Sequence, residues 1–247
     1  MVAPNGARLS AADHPALPVT QDEIVQCARS CFAAGADGLH AHIRDRSGRH
    51  LLDAGAYDSL LSALKDAVPD MAIQITTEAA GIYQPDIQMD IALDSRFDMV
   101  SASIREIRRA GREKSSAFYQ RCSDADTAVQ HILYDISDCE LLEDTLDRAA
   151  LTDPALQLIF VLGRYSEART SHPEELDPFM VWLKDKNITP DWATCAFGPN
   201  ESVCLQKAHS LGGKCRVGLE NSLFLSDGSL ARDNTEKVTD LLAMIEP

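Results

Sequence analysis

Positive charge is scarce in this sequence. Only 23 Lys and Arg stand against 38 Asp and Glu in 247 residues, a formal net charge of −15. Nucleic-acid grooves and anionic membrane surfaces are held by clustered cations, so neither is an expected partner. Arg105, Arg108, Arg109 and Arg112 form the one dense basic run. Long apolar runs are missing too: the longest, 156–162, is far too short to cross a bilayer. No apolar leader opens the chain, whose first ten residues include Pro4, Asn5, Gly6 and Arg8. The seven cysteines contain no CxxC and are spread through apolar segments, which reads as reduced core thiols in a cytoplasmic protein. Cys27 and Cys31 fall beside Ile24, Ala28 and Phe32 at helical spacing, a core pattern rather than a metal or redox pair. No GxGxxG or Walker-type loop follows any strand-like run, and no linker rich in Pro, Gly or Ser divides the chain.

What is present is ordinary globular material, 45% apolar and 25% charged, organised in a beat of roughly 30 residues. Strand-like runs fall at 2–4, 37–43, 71–76, 98–103, 128–134, 156–162, 192–197 and 214–220. Between them the apolar residues take the helical period. Ile24, Ala28, Cys31 and Phe32 share a face after a Thr20 cap with Glu23 at the capping-box position, and Gly35 closes that helix. Leu60, Leu64 and Val68 repeat the pattern, as do Leu142, Leu146 and Ala149. Val238, Leu241, Leu242 and Ile245 follow an expected Asn234 cap. Eight strands alternating with helices give an α/β fold, either a (β/α)8 TIM barrel or a doubly wound open sheet. The missing nucleotide loops favour the barrel, a single domain over 1–247.

The sharpest local signal is Gly38-Leu39-His40-Ala41-His42-Ile43-Arg44-Asp45. Strand side chains alternate, so His40 and His42 share one face while Leu39, Ala41 and Ile43 take the other. With the apolar set against the outer helices, both imidazoles aim into the barrel at the end where barrel active sites are built. They can clamp a metal, or serve as core or substrate-binding histidines. In the last strand Arg216, Gly218 and Glu220 share a face, so Glu220 would complete a two-His, one-carboxylate set, the usual mark of catalytic Zn2+. The bland alternative is a buried Glu220–Arg216 pair. The first loop adds Asn5, Arg8 and His14 at the same rim. Arg8 can bind a carboxylate bidentately, and His14 reads as a proton carrier or a turn residue. Thr76 and Thr77 end the third strand as hydroxyl donors. His131 is either a pocket residue or a core histidine, and His50, His172 and His209 carry no usable pattern.

Taken together, APNGAR, ADHPALPVT, AGADGLHAHIRD, GRHLLD, CRVGLENSLFL and LSDGSLARDN resemble the β-keto acid cleavage enzymes, also described as 3-keto-5-aminohexanoate cleavage enzymes, over essentially the whole chain. The resemblance implies a (β/α)8 barrel with zinc on His40, His42 and Glu220. It implies a reaction in which a β-keto acid and acetyl-CoA give acetoacetate and a new acyl-CoA, and a homo-oligomer, dimer or tetramer. In the family a Ser, the Arg of RVGLE and an Asp after the Glu cooperate in deprotonation. Here Arg216 is kept, Thr76 stands at the Ser position, and Asn221 stands where the family has Asp. His14, or hydroxide held by the metal, is the expected substitute base. Arg8 stands where members acting on amino-substituted substrates carry an acid, which favours an anionic or neutral substrate tail. Two other classes stay open. One is a metal-dependent hydrolase of the amidohydrolase type, drawing on His131. The other is a barrel that keeps zinc and Arg216 but has lost turnover.

Overall fold

Apolar strands alternating with capped, amphipathic helices resolve into a parallel ring. The computed structural model describes residues 1–164 and 170–245. Its strands are β1 (Gly38–Ala41), β2 (Ile43–Arg44), β3 (His50–Leu51), β4 (Ala72–Thr76), β5 (Met99–Ser103), β6 (Ala128–Leu133), β7 (Gln157–Leu162), β8 (Asp191–Ala196) and β9 (Lys214–Cys215). β2 and β3 form a small antiparallel pair. The other seven run parallel in the order β1-β4-β5-β6-β7-β8-β9. Residues 1–3 occupy the eighth place, with Val2 bridging Leu39 on one side and Val217 on the other. Val2 N–H donates to Gly38 O at 2.7 Å, His40 N–H to Val2 O at 2.8 Å and Ala3 N–H to Val217 O at 2.8 Å. The architecture is thus the expected α/β barrel, with its first strand reduced to a seam. Pairing stops at Ala3 because Pro4 has no N–H to give, and Asn234 Nδ2 takes the Pro4 carbonyl at 3.1 Å.

Alternation sorts each strand between two cores. On β7, Leu158 and Phe160 face the helices in the main core. Ile159 and Val161 face inward with Ile132, Ala193, Cys195 and Phe197. That inner group leaves the β6–β8 side of the barrel apolar, while β1, β4 and the segment after β9 present polar groups inward.

Local chemistry sets most helix boundaries. Thr20 and Glu23 form the capping box of helix Gln21–Ala33, and Asp53 caps Ala54–Ala67 through Ala56 N–H at 2.8 Å. Two boundaries differ from expectation. The segment holding Leu142, Leu146 and Ala149 is two helices, Ile136–Thr145 and Arg148–Leu151. Leu146 turns extended, and Asp147 recaps the second helix. The last helix, Asn234–Ile245, is capped by Asp233, which accepts from Glu236 N–H at 2.9 Å. Asn234 is thereby released for tertiary bonds.

Three arginines of the basic run are paired with carboxylates within the fold, and Arg109 donates to Gln84 Oε1 at 3.2 Å. Arg105 pairs with Asp138 at 2.7 Å and Asp135 at 2.8 Å, while Arg108 and Arg112 both pair with Asp144. All seven cysteines are free thiols, Cys31 buried and Cys27 3.8 Å from it. Among the described residues no helix is long and apolar enough to cross a membrane.

Candidate active site

His40 stands on β1 directly beside Gln74 of β4 in the strand register. Its Nδ1 donates to Gln74 Oε1 at 2.7 Å. Gln74 Nε2 in turn donates to Gln130 Oε1 at 3.2 Å, which fixes the amide's orientation. With the proton on Nδ1, the lone pair of His40 sits on Nε2, the arrangement that a metal-binding imidazole needs. His42, just past the strand, brings its Nε2 to 3.2 Å from that atom and to 3.5 Å from Glu220 Oε2. One ligand atom from each of the three lies within 4.8 Å of the others. Burial, reinforced by the nearby Arg216 cation, pushes His40 down to about 3. Burial also holds His42 well below the ordinary imidazole range, so both rings are neutral at physiological pH. Glu220 Oε2 is buried without a hydrogen-bond partner among the described residues. Two neutral imidazoles and an unsatisfied carboxylate oxygen, gathered this closely, fit a divalent cation of the zinc type.

Glu220 reaches this point by a route that strand alternation does not describe. β9 ends at Cys215, Val217 makes a lone bridge, and residues 218–221 form a turn closed by Asn221 N–H to Gly218 O at 2.9 Å. Every backbone donor of that turn has a fixed acceptor. Gly218 N–H goes to Glu201 Oε1 at 3.3 Å and Leu219 N–H to Asn234 Oδ1 at 2.9 Å. Glu220 N–H reaches Ala3 O at 3.2 Å. Glu201 is paired with Lys237, both side chains 1% exposed, and Lys237 also donates to Phe224 O. Only glycine fits position 218, where φ is +150° and a Cβ would lie 2.2 Å from Ala3 O. Gly6, at φ +57°, is likewise constrained, since a Cβ there would meet Glu220 Cγ at 2.6 Å.

The three residues open into a cavity of about 310 Å³ at the C-terminal ends of the strands, where barrels build their sites. A larger cavity, about 810 Å³, lies at the opposite end, among strand starts such as Gly38, Ala72 and Lys214; it shares Arg216 with the smaller one but is lined by no triad residue. Asn5, Arg8, Thr76, Arg216 and Asn221 all line the smaller cavity. Asn5 anchors its loop, donating to Pro18 O at 3.0 Å and His42 O at 3.1 Å. Arg8 is half exposed at the mouth, 4.0 Å from Glu78 Oε1. Thr76 Oγ1 accepts from Glu78 N–H at 3.0 Å. Arg216 lies 3.5 Å from Glu220 Oε1 and donates to Cys195 Sγ at 3.2 Å. Its Nε and Nη1, and both amide atoms of Asn221, are buried without partners among the described residues.

Other expected groups are not brought here. His14 is buried outside the cavity. Its Nδ1 accepts from Ala16 N–H at 3.2 Å and its Nε2 donates to Ala231 O at 2.8 Å, so it has no lone pair left to take a proton. Thr77 donates to Ser101 O at 2.7 Å. His131 lies on the helix-facing side of β6, its ring 4.7 Å from that of Tyr119, as a core histidine.

Sequence reasoning missed Glu78, Arg164 and Arg44. Glu78 follows the end of β4 and accepts from Arg164 Nη2 at 3.2 Å, while Arg164 stacks 4.9 Å above Phe197. Burial raises the Glu78 pKa against the pull of Arg164. Arg44 ties the first loop, donating to the carbonyls of Asn5 at 3.3 Å, Leu9 at 3.1 Å, and Gly6. A strand-end acid was the available signal for Glu78; Arg44 and Arg164 are set by tertiary contacts.

Comparison with known proteins agrees with this geometry. The sequence profile of BKACE, the beta-keto acid cleavage enzyme family, matches residues 1–247. A 3,5-dioxohexanoate:acetyl-CoA acetone transferase of Paraburkholderia graminis is 26% identical, covering 99% of this chain and 88% of its own. A 3-oxoadipate:acetyl-CoA acetyltransferase of Cupriavidus necator is 24% identical over 95% of this chain and 83% of its own. Among solved structures, a ternary complex of ObcA with a C4-CoA adduct and oxalate superposes with a TM-score of 0.67 at 14% identity. That match covers 91% of this chain, which spans 62% of ObcA's length, and it speaks to the fold alone. With a family match over its whole length, the chain belongs to the beta-keto acid cleavage enzymes.

Proposed function

We propose that this protein converts a β-keto acid and acetyl-CoA into acetoacetate and a new acyl-CoA, with zinc held by His40, His42 and Glu220. The observation that carries the reading is the convergence of two neutral imidazoles and one unsatisfied carboxylate at the base of the cavity. When bound, the metal supplies Lewis-acid polarisation of a keto-acid oxygen, which eases loss of a proton from the carbon between the carbonyls.

The chain's own groups do the rest. Arg216 offers the N–H groups of its unpartnered Nε and Nη1 to a carboxylate or a developing oxyanion inside a buried site, where such donors act most strongly. Asn221 can donate and accept hydrogen bonds and so orient the substrate, but its amide takes no proton. The Thr76 hydroxyl lies on the same wall. Ile132, Val161 and Phe197 form the apolar wall opposite and exclude water from the reacting carbons. Arg8, half exposed at the mouth, favours an anionic or neutral tail over a cationic one. An amidohydrolase-type site would need further inward histidines, and His131 faces Tyr119 instead.

The test is a panel of β-keto acids with anionic, neutral and cationic tails, each incubated with acetyl-CoA. Acetoacetate and one CoA ester should appear, most readily with anionic or neutral tails. Metal analysis should find about one zinc per chain, lost on His42→Ala. No CoA ester from any tail, or full activity in metal-free protein, overturns the reading. The same proposal includes a cytoplasmic setting and a homodimer or homotetramer, the latter checked by light scattering.

A further inference from the structure

The cavity holds a second carboxylate, Glu78, which stands apart from the metal triad. Its backbone is pinned on both sides: its N–H donates to Thr76 Oγ1 at 3.0 Å, and its carbonyl accepts from His50 Nε2 at 2.8 Å. The side chain therefore projects into the cavity from a fixed base. Arg164 holds Oε1 at 3.2 Å and is itself held over the Phe197 ring.

Deprotonating a β-keto acid needs a group that can accept a proton in this space. The lining arginines are permanent cations, and the amides of Asn5 and Asn221 and the hydroxyls of Thr76, Tyr134 and Ser222 offer no basic atom at neutral pH. The two histidines and Glu220 face one another in the triad. Glu78 is what remains among the described lining residues. Building on the function proposed above, we infer that Glu78 is the catalytic base. Burial raises its pKa from the ordinary glutamate value, the direction that makes a better proton acceptor.

Atoms balance through one returning proton. A Glu78 carboxylate oxygen takes a proton from the carbon between the carbonyls. The electron pair left there attacks the acetyl-CoA carbonyl carbon and expels the CoA thiolate. That thiolate attacks the substrate's own keto carbon, and the bond between this carbon and the former nucleophile breaks. The new acyl-CoA departs, and the carbon, now the central carbon of acetoacetate, recovers its proton from Glu78.

Glu78 is faced by Arg164 from beyond β7, Arg8 from the first loop and Arg44 from β2. Glu106 of helix Ile104–Ile107, Glu220 of the turn and His50 of β3 complete its charged surroundings. The pH profile of kcat/KM reads Glu78 in that setting.

The test is hydrogen–deuterium exchange at the central carbon, followed by NMR in D2O with the β-keto acid alone, beside acetoacetate formation with acetyl-CoA present. The native enzyme should catalyse exchange. Glu78→Gln should slow both exchange and kcat by about 10²–10⁴-fold and lose the acid limb of the profile, with metal content unchanged. Glu78→Gln exchanging at the native rate overturns the inference, as does a change confined to KM or one that tracks metal loss. A native enzyme that exchanges but forms no CoA ester defeats the proposed function and leaves Glu78 as the base. One that does neither defeats both.

Discussion

Gln74 contributes to the metal centre without reaching it. Its Oε1 holds the Nδ1 proton of His40, and Gln130 holds its amide from behind. Gln74→Leu would free the imidazole to turn and change tautomer. Metal affinity should fall about 10–100-fold, measured by competition with a chromogenic chelator, and activity should recover as metal is added. Unchanged affinity would mean the triad alone orients its ligands. At this scale the histidine pair was legible, because alternation on a strand depends on neighbours in the chain. Asn5, Arg8, Thr76, Arg216 and Asn221 also line the cavity. Glu78 was legible only as an acid at a strand end; its setting was not, since the cation that holds it, Arg164, is remote in sequence. His14 was misread for a related reason: a loop has no period, so nothing local announces that Ala231 claims the ring.

The turn that carries Glu220 depends on elements on both sides of it. Glu201, on helix Glu201–Ser210, and Lys237, on helix Asn234–Ile245, form a buried pair whose free acceptor and donor hold Gly218 and Phe224. Lys237→Met leaves Glu201 unpaired in the core, which costs about 3–5 kcal/mol. For a chain of this size that is a Tm fall on the order of 6–20 °C. Adding Glu201→Gln should restore part of it, and calorimetry of the single and double variants reads the difference. Equal Tm in the native and Lys237→Met proteins would remove the pair from the account. The strand beat was legible because each run carries its own apolar pattern. The end of β9 was not: it is set by the close approach of Ala3 O to Gly218, a contact between the two ends of the chain. The break at Leu146 was hidden as well, since the apolar spacing continues straight across it.

For the molecule as a whole, metal and pH act as linked ligands. A metal at the triad ties β1 to the turn beyond β9, so chelation should lower Tm. At 100-fold excess over Kd the linkage is worth about 2.7 kcal/mol, on the order of 5–10 °C here, and zinc should restore it. An unchanged Tm would mean that the native state does not hold the ion. His131 adds an acid limb. Burial holds it down to about 4 in the folded protein, against 6.5 when unfolded. Below the higher value the unfolded chain binds a proton that the native state refuses. The stabilisation is therefore complete above pH 6.5 and lost as pH falls towards 4, by up to about 3 kcal/mol. His131→Phe should flatten that slope in denaturant titrations at pH 7 and 4.5, and an identical slope would exclude His131 as its source.

The seam at Val2 also has a consequence in time. Val2 completes the ring only when it meets Val217 as well as Leu39, so a residue made before β1 waits for one made after β9. Until then the β1 edge carries unpaired backbone groups, the kind that recruit foreign strands. The same closing event brings Glu220, whose N–H bonds Ala3 O, towards His40, whose N–H bonds Val2 O, and towards His42. Metal loading should therefore wait until the turn beyond β9 has been made, and a nascent barrel should be at its most chaperone-dependent just before β9 emerges.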